Sequence, residues 1–505
     1  MIRVIDLFAG PGGLGEGFSS FRHNGERPFR VMMSVEKEAG AHRTLGLRAF
    51  LRALPEGEGR EDYDAYLSGR IDRAELEARW PEAAAAASAE TLGCPTELGP
   101  DNGRVQSRFR SLRDQAGVDD PWVLIGGPPC QAYSLAGRSR NRAKKGYRPE
   151  KDDRNFLYRE YLKMLAMARP DAFVMENVRG MLSAEVAGKR IFDEILSDLG
   201  RPGRAEGIRG AQDLAYDIHS LVVESDGGLE PEDFLIRSEE YGVPQARHRV
   251  ILLGVRRGGA CRNPGILRKS HPPVTVAETL RGLGPLRSRL SRGPDTPLAW
   301  EEGIRKGILK LLASDSFIEP GLANMLRDRL DGLYSCLPHE SGQGRVDPES
   351  RLGSWIQGRF RADPTLVTGN RTRGHMIEDL QRYFFAACWT LCRGESPKSA
   401  DFPALLAPKH ANWNTGSFAD RFRVQAGNRP ASTITSHISK DGHYFIHHDP
   451  LQCRSLTPRE AARIQTFPDD YHFEGSQTSQ YAQIGNAVPP WLARQIADIV
   501  FGLLC

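Results

Sequence analysis

The chain has 505 residues, 40% of them hydrophobic and 26% charged, and a formal net charge of +4. That length exceeds one ordinary core, so two domains, or one domain with a large insertion, are expected. The composition is globular, no stretch approaches the roughly 18 unbroken apolar residues of a membrane span, and the opening residues lack a basic n-region and cleavage site; these exclude a membrane partner and point to an intracellular protein.

The first half alternates short apolar runs with helical patterns, the rhythm of βα units around a mostly parallel sheet. Strands are expected at Arg3–Leu7, Arg30–Val35, Trp122–Gly126, Asp171–Met175, Tyr216–Val223 and Arg249–Val255. The first runs into Phe8-Ala9-Gly10-Pro11-Gly12-Gly13-Leu14-Gly15, a glycine-rich turn that opens a helix. Glycines permit positive φ and let a ligand approach bare backbone. Gly10, Gly12 and Gly15 match G-x-G-x-x-G, and Glu36 ends the second strand where a ribose-binding acid would stand. A nicotinamide dehydrogenase and a nucleoside-dependent transferase both remain open on this turn alone. Phe8 is either a core residue or a platform for an adenine ring.

Between the second and third strands lies an insertion, about 50–115, read as helical and surface-lying. The third strand then delivers Gly126-Gly127-Pro128-Pro129-Cys130-Gln131. Two prolines stiffen the backbone ahead of a thiol at a strand's carboxyl end, where open α/β sheets bind ligands. Eight scattered cysteines form no framework, so Cys130 reads as chemical rather than as half of a staple.

Residues 135–154 carry eight Lys/Arg against three Asp/Glu, so the rest of the chain nets −1. A loop this basic is a solvated face or a phosphate-binding one. The fourth strand leads into Glu176-Asn177-Val178, a carboxylate at the same sheet edge. Alternation in Gln245-Ala246-Arg247-His248-Arg249 puts Arg247 and Arg249 on one face of the last strand.

From about 257 to 428 the βα rhythm disappears into an irregular unit. Within it FFAACWTLC, holding Cys388 and Cys392, reads as a buried helix. His437, His443, His447 and His448 match no zinc spacing, so no metal is expected. Regular pattern returns with helices at Thr457–Gln465 and Pro489–Leu504, which rejoin the first domain.

Taken in series, these segments closely resemble the C5 cytosine DNA methyltransferases. The match covers Asp6–Phe18, Glu36, Pro-Pro-Cys130, Asp153–Leu157, Glu176-Asn177-Val178 and Gln245–Arg249. It continues through Arg429-Pro430, Thr433-Ile434-Thr435 and Gln483–Pro489. The resemblance implies an α/β fold: a Rossmann-like S-adenosylmethionine-dependent methyltransferase sheet with helices on both faces, plus a smaller irregular target recognition domain. Its domains would be 1–256 (catalytic), 257–428 (recognition) and 429–505 (a return segment). RNA methyltransferases share the Cys and Glu but lack so large a recognition segment, which favours double-stranded DNA as substrate.

By resemblance, Cys130 adds to cytosine C6, Glu176 bonds N3 and the exocyclic amine, Arg249 contacts O2, and Arg247 supports Glu176 or a phosphate. Phe8, Gly10, Pro11, Gly12, Glu36, Leu157 and Asn486 would hold S-adenosylmethionine. The family's adenine-binding Asp is obscured by the insertion, with Asp101 and Asp114 as candidates. Gln131, Ser134, Arg138, Arg140, Arg142, Lys144 and Lys145 would meet DNA around a flipped-out base. The expected setting is a monomeric modification enzyme of a bacterial restriction or phage-defence system, in the cytoplasm at the nucleoid, with partner proteins of that system.

Overall fold

All six expected strands form in the computed structural model, and a seventh joins them. The structure describes every residue except 116, 118, 119, 130–152, 187, 188, 225–227, 260–263, 315–317, 334, 335, 410–412 and 414–418. The strands are β1 (Ile2–Leu7), β2 (Phe29–Val35), β3 (Trp122–Gly126), β4 (Ala172–Val178), β5 (Tyr216–His219), β6 (Leu235–Arg237) and β7 (His248–Arg256). Among the described residues their order is β2-β1-β3-β4-β7-β5, with β6 paired to β7. The first four are parallel, while β7 runs antiparallel to β4.

β1 is buried along its whole length because both sheet faces are covered. Successive side chains point to opposite faces, so Ile5 and Leu7 enter one core, while Val4 enters the other. Helix α1 (Gly13–Ser20) covers that second face, and α2 (Ala39–Ala53) follows β2. The insertion is helical, as expected: α3 (Arg60–Leu67), α4 (Arg73–Arg79), α5 (Pro81–Glu90) and α6 (Asn102–Asp114). It is more than a surface appendage, since Tyr63 and Leu76 are fully buried with Phe50 of α2 in a core of their own.

Helices α7 (Asp153–Ala168) and α8 (Ile191–Gly200) cover the first face. Strand β5 stops four residues before its expected end, because the Ser220 hydroxyl accepts the backbone N–H of Val222 and Val223 and turns the chain. β4 extends three residues beyond its expected end and takes Glu176 into the sheet.

The segment 257–428 is largely irregular, as expected, but it holds three long helices. Helices α9 (Pro297–Ser314), α10 (Pro320–Asp331) and α11 (Ile377–Arg393) pack a separate core around Trp300, Ile304, Leu326, Phe384 and Cys388. Its glycines and prolines sit mostly between these helices and masked their period. Cys388 is buried and Cys392 exposed on α11, the helix expected there. Thr457 caps α12 (Pro458–Ile464) in a reciprocal capping box with Glu460. After α13 (Gln477–Asn486), α14 (Pro490–Leu504) returns to the sheet and packs on α1.

Candidate active site

Parallel register levels the carboxyl ends of the strands. Leu7 stands opposite both Val35 and Gly126, and Gly126 opposite Met175, one residue before Glu176. The glycine turn, Glu36, the Gly-Gly-Pro-Pro segment and Glu176 therefore share one edge.

The turn is tied to β2. Ala9 N–H donates to Val35 O at 3.0 Å and Gly10 N–H to Glu36 Oε2 at 2.8 Å, while Glu38 N–H reaches Glu36 Oε1 at 2.7 Å. Each carboxylate oxygen keeps a further lone pair for a ligand hydroxyl. Burial raises the Glu36 carboxyl above its ordinary range, against the pull of these backbone N–H groups. Gly10 and Gly12 have φ of +57° and +97°, and a Cβ on Gly10 would meet nothing within 4 Å, so that face of the turn is open. Phe8 also has positive φ, +56°, an uncommon conformation for a side-chain-bearing residue. Its ring is half-buried and packs against the core, so it is neither wholly interior nor free. Pro11 is buried. Leu157, near the start of α7, is buried as well, whereas Asn486 at the end of α13 is exposed.

At the other end of the edge, Arg249 Nε lies 2.7 Å from Glu176 Oε1, in an ion pair whose side chains are 15% and 14% exposed. Glu176 Oε2 faces Gly127 so closely that a Cβ there would stand 2.9 Å away. The third-strand segment thus begins against the carboxylate, three residues in sequence before Cys130. Cys130 itself, with Gln131, Ser134, Arg138, Arg140, Arg142, Lys144 and Lys145, lies outside the described residues.

Arg247 departs from its expected role. It falls in the break before β7 and is 1% exposed, so it cannot meet a phosphate. Its guanidinium donates to Ile434 O at 2.8 Å and Gly485 O at 3.2 Å rather than to Glu176. Burial and neighbouring Arg249 push its pKa well down, with Glu176 opposing. Gln245 acts alongside it, accepting Ile434 N–H at 2.7 Å and donating to Gln465 Oε1 at 2.5 Å. These two residues staple the return segment to the strand that presents Arg249.

Thr96 N–H donates to Glu36 O at 2.8 Å, which brings the α5–α6 connection of the insertion to the acid that holds the turn. Asp101, at the near end of α6, already accepts Glu97 N–H at 2.8 Å; Asp114 is at the far end. Among the described residues no group of three or more His, Cys, Asp or Glu side chains could hold a metal ion.

Sequence reasoning missed Arg48, Asp470 and Tyr471, which lie buried behind the turn. Arg48 carried the one legible signal, a charge within the apolar stretch of α2.

A glycine turn bound to an acid at the end of β2, on this sheet with an antiparallel β7, defines the class of Rossmann-like methyltransferases. The comparisons narrow it. The C-5 cytosine-specific DNA methylase profile matches residues 108–204 and 378–501. The chain is 32% identical to the type II methyltransferase M.Bpa9945I of Bacillus paralicheniformis over 99% of both chains. It is 27% identical to the type II methyltransferase M.AgeI of Thalassovita gelatinovora, again over 99% of each. It is 25% identical to the DNA (cytosine-5-)-methyltransferase M.ApeKI of Aeropyrum pernix, over 83% of this chain and 92% of that one. A crystal structure of a prophage-encoded DNA modification methyltransferase (E. coli) has the same fold, with a TM-score of 0.51 at 19% identity over 100% of this chain and 99% of that one. The chain belongs to the C-5 cytosine-specific DNA methylase family and is a DNA (cytosine-5-)-methyltransferase.

Proposed function

We propose that this enzyme methylates C5 of a cytosine flipped out of duplex DNA, through a covalent adduct between Cys130 and C6. The observation that carries the reading is the Glu176–Arg249 pair packed against Gly127, at the same sheet edge as the turn bound to Glu36. Cytosine C5 is a poor nucleophile until a thiolate adds at C6 and turns the ring into an enamine. Arg249 occupies Glu176 Oε1, which leaves Oε2 for the base, where a proton shared with N3 neutralises the charge that builds there. Once C5 carries the methyl group, loss of its proton to a base re-forms the C5–C6 double bond and expels Cys130 as the thiolate, completing the turnover.

The open face of Gly10, the half-exposed Phe8 ring and the lone pairs left on Glu36 fit S-adenosylmethionine, and Pro11, Gly12, Leu157 and Asn486 would complete its site. When bound, it supplies the electrophilic sulfonium methyl. Glu36 would take its ribose hydroxyls. A stacked base offers none of the reacting atoms, so flipping is required, and the basic 131–152 loop, with Gln131, Ser134, Arg138, Arg140, Arg142, Lys144 and Lys145, would close on the DNA. Relatives named as type II methyltransferases support a modification enzyme of a bacterial restriction or defence system. In this reading 257–428 recognises the site.

DNA carrying 5-fluorocytosine at the target position tests the chemistry. Fluorine cannot leave C5 as a cation, so elimination stops and a denaturation-resistant adduct is expected on Cys130, only with the donor present. Cys130→Ser is expected to form none, since a hydroxyl is a far weaker nucleophile near neutral pH. An adduct mapped to another cysteine, or none on a sequence proven to be methylated, overturns the mechanism.

A further inference from the structure

The glycine turn is held by more than its own Gly12 N–H to Ala9 O bond and its ties to β2. Gly10 and Gly12 have backbones that wander freely in isolation, and any ordering left to the moment of binding weakens affinity. Among the residues behind the turn, Tyr471 is fully buried and its hydroxyl donates to Pro11 O. A Cβ on Gly12 would stand 2.9 Å from that same hydroxyl, so the glycine and the tyrosine interlock. Burial pushes the phenol far up, which keeps it an O–H donor.

The ring is itself gripped. The Arg48 guanidinium lies between the Tyr471 and Phe360 rings, 4.6 and 4.5 Å from their centroids. Its Nε and Nη2 fork onto Glu16 at 2.8 and 2.7 Å, and its Nη1 reaches Asp470 Oδ1 at 3.1 Å. Glu16 stands in the first turn of α1, and its N–H donates to Gly12 O at 2.8 Å. The tyrosine at Pro11 O and the Arg48-paired Glu16 at Gly12 O therefore hold the turn from behind at two adjacent carbonyls.

We propose that Tyr471 is a positioning residue for the methyl donor, bracing Pro11 so that the Gly10–Gly12 turn is in its binding shape before the donor arrives. The proposal rests on reading that turn as the donor site. Its consequence is a split in the kinetics: without the hydroxyl, donor binding must order the turn, but the assembled complex reacts as before.

The test uses the full chain, with S-adenosylmethionine and S-adenosylhomocysteine titrated calorimetrically and steady-state kinetics on duplex DNA. Loss of one net hydrogen bond in Tyr471→Phe is expected to raise donor Kd and KM about three- to tenfold, with kcat and the KM for DNA held within about twofold. Arg48→Lys keeps the charge but loses the fork, and should shift donor affinity in the same direction. Gly12→Ala, strained by its positive φ and blocked by Tyr471, checks the underlying reading. If Gly12→Ala leaves donor affinity unchanged, the turn is not the donor site and that reading falls. If Gly12→Ala abolishes binding while folded Tyr471→Phe binds normally, Tyr471 is only a core residue and the inference is overturned. Equal losses in kcat or DNA affinity for Tyr471→Phe would also overturn it.

Discussion

Asp6 shows how one buried residue makes the fold answer to pH. It sits in β1 beneath the glycine turn with no exposed surface. Burial, helped by the negative charges of Glu90 and Glu36 and opposed by Arg52, pushes its carboxyl up to about 8. An unfolded Asp ionises near about 3.9. Between these values the folded protein holds a proton that the unfolded chain has lost. The corresponding stability is complete below the unfolded pKa and drains away as pH rises through the folded one. Asn cannot ionise, so Asp6→Asn is expected to remove this dependence. The melting temperature of the native protein minus that of the variant should fall as pH goes from 4 to 8. A difference constant across that range would show that Asp6 is not a buried neutral acid. In the sequence Asp6 stood out only as the first residue of the family-like segment Asp6–Phe18, with nothing to mark it as a buried acid.

At the scale of elements, the contact between α1 and α14 sets propensity against packing. Gly17 lies within α1, where Ala is ordinarily better by about 0.8–1 kcal/mol. A Cβ there would stand 2.3 Å from Ala493 Cβ and 2.6 Å from Arg494 N on α14. Overpacking of this kind costs about 1–3 kcal/mol, so packing outweighs propensity. Gly17→Ala should lower the urea midpoint, and a raised midpoint would show that the two helices can separate cheaply. The same helices illustrate what a sequence carries locally. The Thr457-Pro458 entry, and the amphipathic pattern that follows Pro489, announced α12 and α14 without help. That Gly17 exists to let α14 approach could not be read, because its neighbour lies almost the whole chain away.

Over the whole molecule, Asp470 of the return segment is one buried point at which the 257–428 segment is attached. Asp470 Oδ2 accepts the N–H of Arg359 at 2.5 Å and of Phe360 at 2.8 Å. Gly358, with φ +76°, passes so near that a Cβ would meet Asp470 Cγ at 2.2 Å. Asp64 of the insertion accepts the amides of Ala362 and Asp363, one residue further on, at 3.0 and 2.6 Å. The insertion therefore buttresses the 257–428 segment. An exchange of 257–428 for a relative's segment that keeps glycine at 358 should change the methylated sequence in bisulfite sequencing, but not the product. A folded, active chimera that still methylates the original site would place recognition elsewhere. With alanine at 358 the same exchange should fail to dock.

The amino-acid sequence alone determined the strands, the glycine turn, the acid at the end of β2, and the order of the Cys, Glu and Arg motifs. Each is written in a short window, by periodicity, φ requirements or the needs of the chemistry. Only the tertiary structure decided that Glu176 belongs to β4 and pairs with Arg249, since pairing register depends on both strands at once. It also separated Arg247 from Arg249: a kink before β7 turns one into the buried staple and leaves the other at the sheet edge. The clamp of Arg48, Asp470 and Tyr471 was hidden for the same reason: its meaning lies in a contact between residues hundreds of positions apart, and burial of a charge makes sense only beside the partner that offsets its desolvation.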